Sequence, residues 1–297
     1  MARKNILVTG ATGQQGGALI SALLASNPQE FKIFALTRNA SSPSAIRLAA
    51  QGTTVIQGDT TKPDAVFSQV PDPYGVFLVT VPTATENEQA MPFIDAAMKS
   101  GVNHFIFTSA DRGGPVISES DSTPVPHFGT KKAIEQHLKS AGGGQMLWTI
   151  LRPTSFMDNL SPNFIGKALA TMLKQMGSTK VSLIATKDIG RAAALAFARP
   201  EVYAGRALTL TGDLLTFAEM NTIFKEETGK DLPTTFKFVV NGLQWAISDL
   251  GVTMKYLRDG AYEYDMDKAL TEELGLRDFR TWLREDSKFE VKEEAES

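Results

Sequence analysis

At 297 residues, 42% hydrophobic and 21% charged, the chain can form one large domain or two intimate ones, with the composition of an ordinary soluble globular protein. Its net charge of −3 provides no basic field for nucleic acid or anionic lipid, so no direct nucleic-acid partner is expected. The lack of cysteine excludes disulfides, thiol nucleophiles and thiolate sites, and three histidines (His104, His127 and His137) are too few for an imidazole cage, so no metal is expected.

The first predicted element is a strand over Asn5–Thr9, where Ile6-Leu7-Val8 is the short apolar run of a buried strand. Only Met1-Ala2-Arg3-Lys4 precede it, which leaves no room for a cleavable leader. No apolar run approaches the roughly 18 residues of a bilayer span. The expected location is therefore the cytosol, with the nucleus open and no membrane association. Directly after the strand comes the turn Gly10-Ala11-Thr12-Gly13-Gln14-Gln15-Gly16, and Ala18 to Leu24 starts a helix. Glycines at 10, 13 and 16 permit a tight turn and close approach to a pyrophosphate, while the helix N-terminus favours bound phosphate. A glycine triplet alone is weak, but between a strand and a helix it points to a dinucleotide. The second strand, Lys32–Thr37, refines the ligand. A carboxylate about 20 residues past the glycines would bond the ribose 2′-hydroxyl of NAD, but here Thr37-Arg38-Asn39 carries an arginine and no acid. A guanidinium can form a forked, charge-assisted bond to a 2′-phosphate; a solvated surface arginine is the plainer alternative. The expected cofactor is NADP(H).

Further strands are predicted at Thr54–Gln57, Val76–Thr80, His104–Thr108 and Trp148–Leu151, with helices at Glu86–Ser100 and Lys131–Ser140 between them. Gly101 and Gly142-Gly143-Gly144 mark breaks. The alternation predicts an α/β fold: a Rossmann-type doubly wound parallel sheet with a smaller C-terminal lobe. Lys187-Asp188-Ile189-Gly190-Arg191 begins an alanine-rich helix, Ala207–Thr211 reads as a strand, and Thr216-Phe217-Ala218-Glu219 as a capping box. From Asp231 onward, Phe236, Phe238, Trp245, Tyr256, Tyr262, Tyr264 and Trp282 belong to the smaller lobe, and the charged tail after Lys288 is expected to fray. The expected division is a cofactor domain over 1–154, completed by about 182–212, with 155–181 and 213–297 forming a substrate or partner lobe.

With these motifs in place, the chain resembles an atypical short-chain dehydrogenase/reductase of the NmrA-like group over nearly its whole length. The resemblance rests on Gly10 to Gly17 after the first strand, Thr37-Arg38-Asn39, Gln57-Gly58-Asp59, Phe107-Thr108-Ser109, His127-Phe128-Gly129-Thr130-Lys131, Leu151-Arg152-Pro153 and Phe156-Met157-Asp158-Asn159-Leu160. It implies an NADP(H)-binding domain and a small lobe, with the nicotinamide end held between them. It also implies that Asp59 and Thr60 sit near the adenine and that Thr80-Val81-Pro82 line the cofactor. Lys131 would reach the nicotinamide ribose, while Phe156, Met157 and Asn159 would close over the nicotinamide. Asp59 could instead cap the turn before Lys62-Pro63, and Phe156 could be core packing.

Ordinary members of the superfamily use a Tyr-x-x-x-Lys pair, in which the lysine lowers the phenol's pKa for proton transfer. Here Lys131 is present, but the position four residues earlier is His127. The two share a helix face if the helix, whose start Pro124 and Pro126 suggest, already includes 127. Candidate proton-handling residues are Lys131, His127 and Ser109; Ser109 could donate to a substrate carbonyl or cap a loop. Residues Ala110–Pro126 are expected as an extended loop beside the site. Two functions follow. The first is an NADP(H)-sensing regulator that signals to a protein partner; the alternative is an NADPH-dependent reductase of a small apolar carbonyl, quinone or enone. Loss of the tyrosine favours the regulator, and retention of Lys131 keeps the enzyme in play.

Overall fold

The structure is a computed structural model that describes residues 3–26, 29–83, 85–120, 123–141, 144–246, 248–261 and 266–292. Tyr262, Tyr264, the Gly142-Gly143 part of the glycine break and tail residues 293–297 lie outside the described residues. The chain alternates as expected: β1 (Lys4–Val8), α1 (Gln14–Ser26), β2 (Phe31–Thr37), α2 (Pro43–Ala50), β3 (Thr54–Gln57), α3 (Pro63–Phe67), β4 (Pro73–Val79), α4 (Glu86–Lys99) and β5 (His104–Thr108). Next come α5 (Gly114–Ser120), α6 (Pro126–Ala141), β6 (Leu147–Pro153), β7 (Ser155–Phe156), α7 (Phe164–Gln175), β8 (Val181–Ile184), α8 (Thr186–Ala198), α9 (Pro200–Tyr203), β9 (Arg206–Leu210) and β10 (Asp213–Leu215). Helices α10 (Phe217–Thr228), α11 (Lys237–Ala246), α12 (Ser248–Tyr256), α13 (Lys268–Leu274) and α14 (Phe279–Glu285) complete the described chain.

Among the described residues, seven strands form a sheet in the order β3-β2-β1-β4-β5-β6-β9. Pairings from β3 through β6 are parallel, with Leu7 opposite Phe34 on one side and Val76 on the other. A parallel sheet covered on both faces reads as continuous apolar sequence, and Ile33–Leu36 and Phe105–Phe107 are wholly buried. Alternate side chains separate by face. Leu7, Phe34, Val76, Leu78, Phe105 and Phe107 pack with Phe93 and Ile94 of α4 and Ile134 and Leu138 of α6. Gly75 on β4 lies so close to Ile6 and to Phe197 of α8 that an added Cβ would clash with both. The chain winds outward from β1 to β3 and then returns to β4 beside β1. The strand order thus reverses between β1 and β4, where ligands of open α/β sheets bind.

The chain divides into two compact units, 1–110 with 127–152 and 187–208, and 111–126 with 153–186 and 209–297. Residues 111–126, 153–154, 182–186 and 209–212, assigned from sequence to the cofactor domain, belong to the second unit. The reason for the later segments is pairing: β8 bonds to β7 in parallel and to β10 in antiparallel fashion, forming a separate three-stranded sheet. The second unit's core gathers Met157, Leu173, Leu183, Phe224, Phe279 and Trp282. The Thr216–Glu219 capping box forms at the start of α10 as its sequence predicts.

The expected extended loop over 110–126 instead contains α5. Asp111, fully buried, accepts the Gly113 and Gly114 amides at 3.2 and 3.1 Å and the Ser118 hydroxyl at 3.1 Å. The carboxylate satisfies amides that a helix start leaves open, and Pro115 suits the first turn. Gly113-Gly114-Pro115 therefore opens a helix.

Candidate functional site

The glycine turn is built as the sequence implies. Gly10 has φ +56°, a left-handed conformation, and a Cβ there would strike Val79. At Gly16 a Cβ would collide with the Gly10 and Thr9 backbone, so this glycine lets α1 start hard against the end of β1. Gly13 is different: its amide donates to the Gly10 carbonyl at 2.8 Å, and an added Cβ would have only that oxygen within 4 Å, at 3.2 Å. Thr9 ties the switch point together, its hydroxyl accepting the Val79 amide at 2.9 Å. Thr12, Gly13 and Gln14 are exposed at the helix start. Gln15 is half-buried and accepts the Thr108 hydroxyl at 2.6 Å, joining α1 to the end of β5.

Beside this turn lies a cavity of about 700 Å³ at the carboxyl ends of β1, β2, β3 and β4. Of the expected cofactor residues, it brings together Gly10, Thr12, Arg38, Asn39, Asp59, Thr60, Thr80 and Val81. Gly13, Gln14, Gln15, Gly16, Pro82 and Lys131 are not in its lining. Arg38 and Asp59 are exposed on its β2–β3 side. Asp59 does cap its turn, accepting the Thr61 amide at 2.9 Å; that bond, assisted by the nearby Arg38 charge, holds its pKa below the usual carboxylate value.

The β4 side carries a group absent from the sequence reading. Glu86, in the first turn of α4, lines the cavity and is 1% exposed. Its Oε1 lies 2.7 Å from Lys131 Nζ and accepts the Thr80 hydroxyl at 2.5 Å, while Lys131 also donates to Thr80 at 2.5 Å. Burial pulls the Lys131 pKa below its ordinary value of 10.5, opposed by Glu86 and, one helical turn on, Glu135. Glu135 in turn holds the buried Arg152 through bonds of 3.2 and 2.6 Å. An acid in the first turn of a helix ordinarily reads as an exposed dipole partner. A sequence signal for Glu86 existed only in its place, six residues past Thr80 at the end of a sheet strand.

Helix α6 begins at Pro126 and includes His127, so His127 and Lys131 lie one turn apart on it. The His127 ring is half-buried with its centroid 4.5 Å from that of Phe128. Ser109 is buried, its amide donating to Leu151 at 2.7 Å. His104 and His137, assigned no role from sequence, bond Thr149 at 2.9 Å and Asp95 at 2.7 Å. Phe156, Met157 and Asn159 belong to the second unit. Phe156 is half-buried, Met157 lies fully buried in that unit's core, and Asn159 is exposed. Among the described residues there is no group of three or more side chains able to hold a metal, and no helix long and apolar enough to cross a membrane.

Comparison with known proteins agrees with this architecture. The model of the NmrA-like family matches residues 2–254. The NmrA-like family domain-containing oxidoreductase lnaB of Aspergillus flavus is 32% identical over 179 residues, 57% of this chain and 50% of that protein, so the match spans half of that relative's length. The NAD(P)H azoreductase of Xenophilus azovorans is 28% identical over 229 residues, 76% of this chain and 74% of that one. Among solved structures, the NADPH-dependent quinone oxidoreductase of Escherichia coli, complexed with NADPH, superposes with a TM-score of 0.74 at 23% identity, covering 94% of this chain and 98% of that one. At that identity the likeness concerns the fold.

Proposed function

The chain belongs to the NmrA-like family, and from that premise we propose that it binds NADP(H) and acts as an NADPH-dependent reductase of a small carbonyl, quinone or enone. The observation that carries this reading is Lys131, an ammonium 5% exposed whose partners Thr80 and Glu86 line the cavity. A buried lysine with a lowered pKa can release a proton more readily than a surface one. When bound, NADPH supplies the hydride. The chain's share is to bind and to hold protons. The exposed glycine turn and N-terminus of α1 meet the pyrophosphate, Arg38 meets the 2′-phosphate, and His127 or Lys131 delivers the proton that balances hydride addition. The reductase and oxidoreductase names of the relatives favour this reading over the regulator. The cofactor falls to the first unit, whose residues line the cavity. Substrate or partner falls to the second, where Phe236 and Phe238 are exposed and stacked at 5.6 Å.

A regulatory reading remains attached to one observation: histidine stands where the superfamily's tyrosine would be. On that reading the chain binds NADP(H), changes its association with a protein partner, and turns over nothing. The deciding experiment is calorimetric titration with NADPH, NADP⁺ and NADH, followed by NADPH-consumption assays over quinones, aldehydes and enones. Turnover of a defined substrate, reduced about 10²–10⁴-fold by His127→Phe with NADPH affinity retained, supports the reductase. Tight NADPH binding without turnover across the series favours the regulator, and no binding removes both.

A further inference from the structure

Three polar groups close on one another where β4 ends. Lys131 Nζ lies 2.7 Å from Glu86 Oε1 and donates to the Thr80 hydroxyl at 2.5 Å, and that hydroxyl donates to the same Oε1 at 2.5 Å. Glu86 is 1% exposed and Lys131 5%, so the contact is almost dry. The ammonium's other neighbours bind it less directly. The Phe107 ring of β5 has its centroid 5.2 Å from Nζ, and His127 stands one turn before Lys131 on α6. Glu135, one turn after it, is held by Arg152 of β6 through bonds of 3.2 and 2.6 Å. Among the described residues, Glu86 is the acid in ion-pair contact with Lys131.

We propose that Glu86 is a positioning residue: it fixes the Lys131 ammonium against Thr80 and keeps it charged, so that Lys131 serves as an acid. This rests on the reductase reading and adds to it the residue that sets the proton donor. Glu86 acts through Lys131 and needs no contact with a ligand. The need for it follows from burial. A lysine removed from water sheds its proton more readily unless a negative charge stands within about 4–6 Å. Desolvation does pull the Lys131 pKa down, and the Glu86 charge and hydrogen bond are the main forces opposing it, ahead of Glu135. A neutral amine is a far weaker acid than an ammonium. Without Glu86 the group would be uncharged at pH values where the wild type still has its proton to give. Aim follows from the same contacts. Glu86 and Thr80 take two of the ammonium's three donors, which leaves one N–H to give and restricts its direction. Both partners line the cavity and are tied to regular elements, Glu86 in the first turn of α4 and Thr80 directly after β4.

The full chain carrying isotope-labelled lysine is titrated by NMR, and the Lys131 Nζ signal is assigned by its absence from Lys131→Arg. Glu86→Gln keeps the shape and removes the charge. It should lower the proton affinity of Lys131 about tenfold or more, read as a midpoint moved to lower pH. Glu86→Asp keeps the charge and should recover most of that loss. A Glu86→Gln midpoint equal to wild type, or a Glu86→Asp midpoint no better than Glu86→Gln, overturns the proposal. If Glu86→Gln does not fold, Thr80→Val takes its place, removing the neutral partner and leaving the acid. Proton affinity within about threefold of wild type then supports Glu86 as the group that holds the charge; a larger loss assigns that role to Thr80 and overturns the proposal. Turnover supplies the readout that a merely structural ion pair would leave alone. In the NADPH-consumption assays kcat should fall on the alkaline side, and in Glu86→Gln that fall should begin at lower pH by the same factor as the NMR midpoint. A moved midpoint with an unmoved kcat limb overturns the positioning role alone. Wild type that turns over nothing removes the reductase reading, and this role with it.

Discussion

Lys131→Met should destabilise the chain much more than a surface lysine change, and the reason lies in what it strands. Glu86 has 0% of its side chain exposed and Lys131 6%, with 2.7 Å between Nζ and Oε1. Removing the ammonium leaves a buried acid with only the Thr80 hydroxyl, a change that typically costs about 3–5 kcal/mol. Glu86→Leu strands the lysine instead. That group can shed its proton, so the loss should be smaller at high pH. The double variant Lys131→Met/Glu86→Leu replaces the pair with apolar groups and should lie far above the sum of the singles, with a coupling of roughly 3 kcal/mol. Urea unfolding followed by tryptophan fluorescence measures this, since Trp148 lies in the first unit and Trp282 in the second. A pH series adds a signed test. Burial lowers the folded pKa of Lys131 below 10.5, so between those two values the unfolded chain binds more protons and wild-type stability should rise with pH. Lys131→Met should lack that rise. Single-variant losses below about 1 kcal/mol that simply add would refute the claim that the two groups form a buried, mutually dependent pair.

Arg38→Ala should weaken NADPH about ten- to a hundred-fold while barely changing NADH, and equal loss for both by calorimetry would show that Arg38 does not read the 2′-phosphate. Gly13→Val should abolish NADPH binding with an unchanged circular dichroism spectrum, because its Cβ position meets only the Gly10 oxygen at 3.2 Å. Gly16→Ala should lower thermal stability through collision with the turn backbone, so equal melting of the two variants would contradict this division of labour. His104, fully buried, has its pKa held down at about 4 from an ordinary 6.5 by desolvation. Stability should therefore be complete above pH 6.5 and fall by up to about 3 kcal/mol towards pH 4 as the unfolded chain takes up the proton. His104→Gln should flatten that acid limb in pH-dependent urea unfolding, and an unchanged slope would assign the acid sensitivity elsewhere.

The first unit was legible because its determinants are local. Strands buried on both faces must be continuous apolar runs, so Ile6-Leu7-Val8 and Phe105-Ile106-Phe107 announced themselves. The glycine turn was legible for a related reason, since the left-handed φ and Val79 side chain at Gly10 and the backbone collision at Gly16 disfavour any other residue type. Arg38 and Asp59 line one cavity because strands of a parallel sheet end on a common edge. Other features depended on neighbours distant in the chain. The Gly113-Gly114-Pro115 segment reads as a loop until Asp111 is seen to hold its amides and Ser118. Val181–Ile184 was not among the strands read from sequence, and pairing with β7 and β10 put it in a separate sheet. Lys131 was identifiable by motif, yet its electrostatics were not. They depend on Glu86, 45 residues earlier, which looks like an ordinary surface acid at a helix start until the ends of β4 and α6 meet around it. Covalent sequence determined where the backbone could turn and which runs had to be buried. Tertiary structure alone decided which charges were removed from water and what they met there, because desolvation depends on everything within a few ångströms in space.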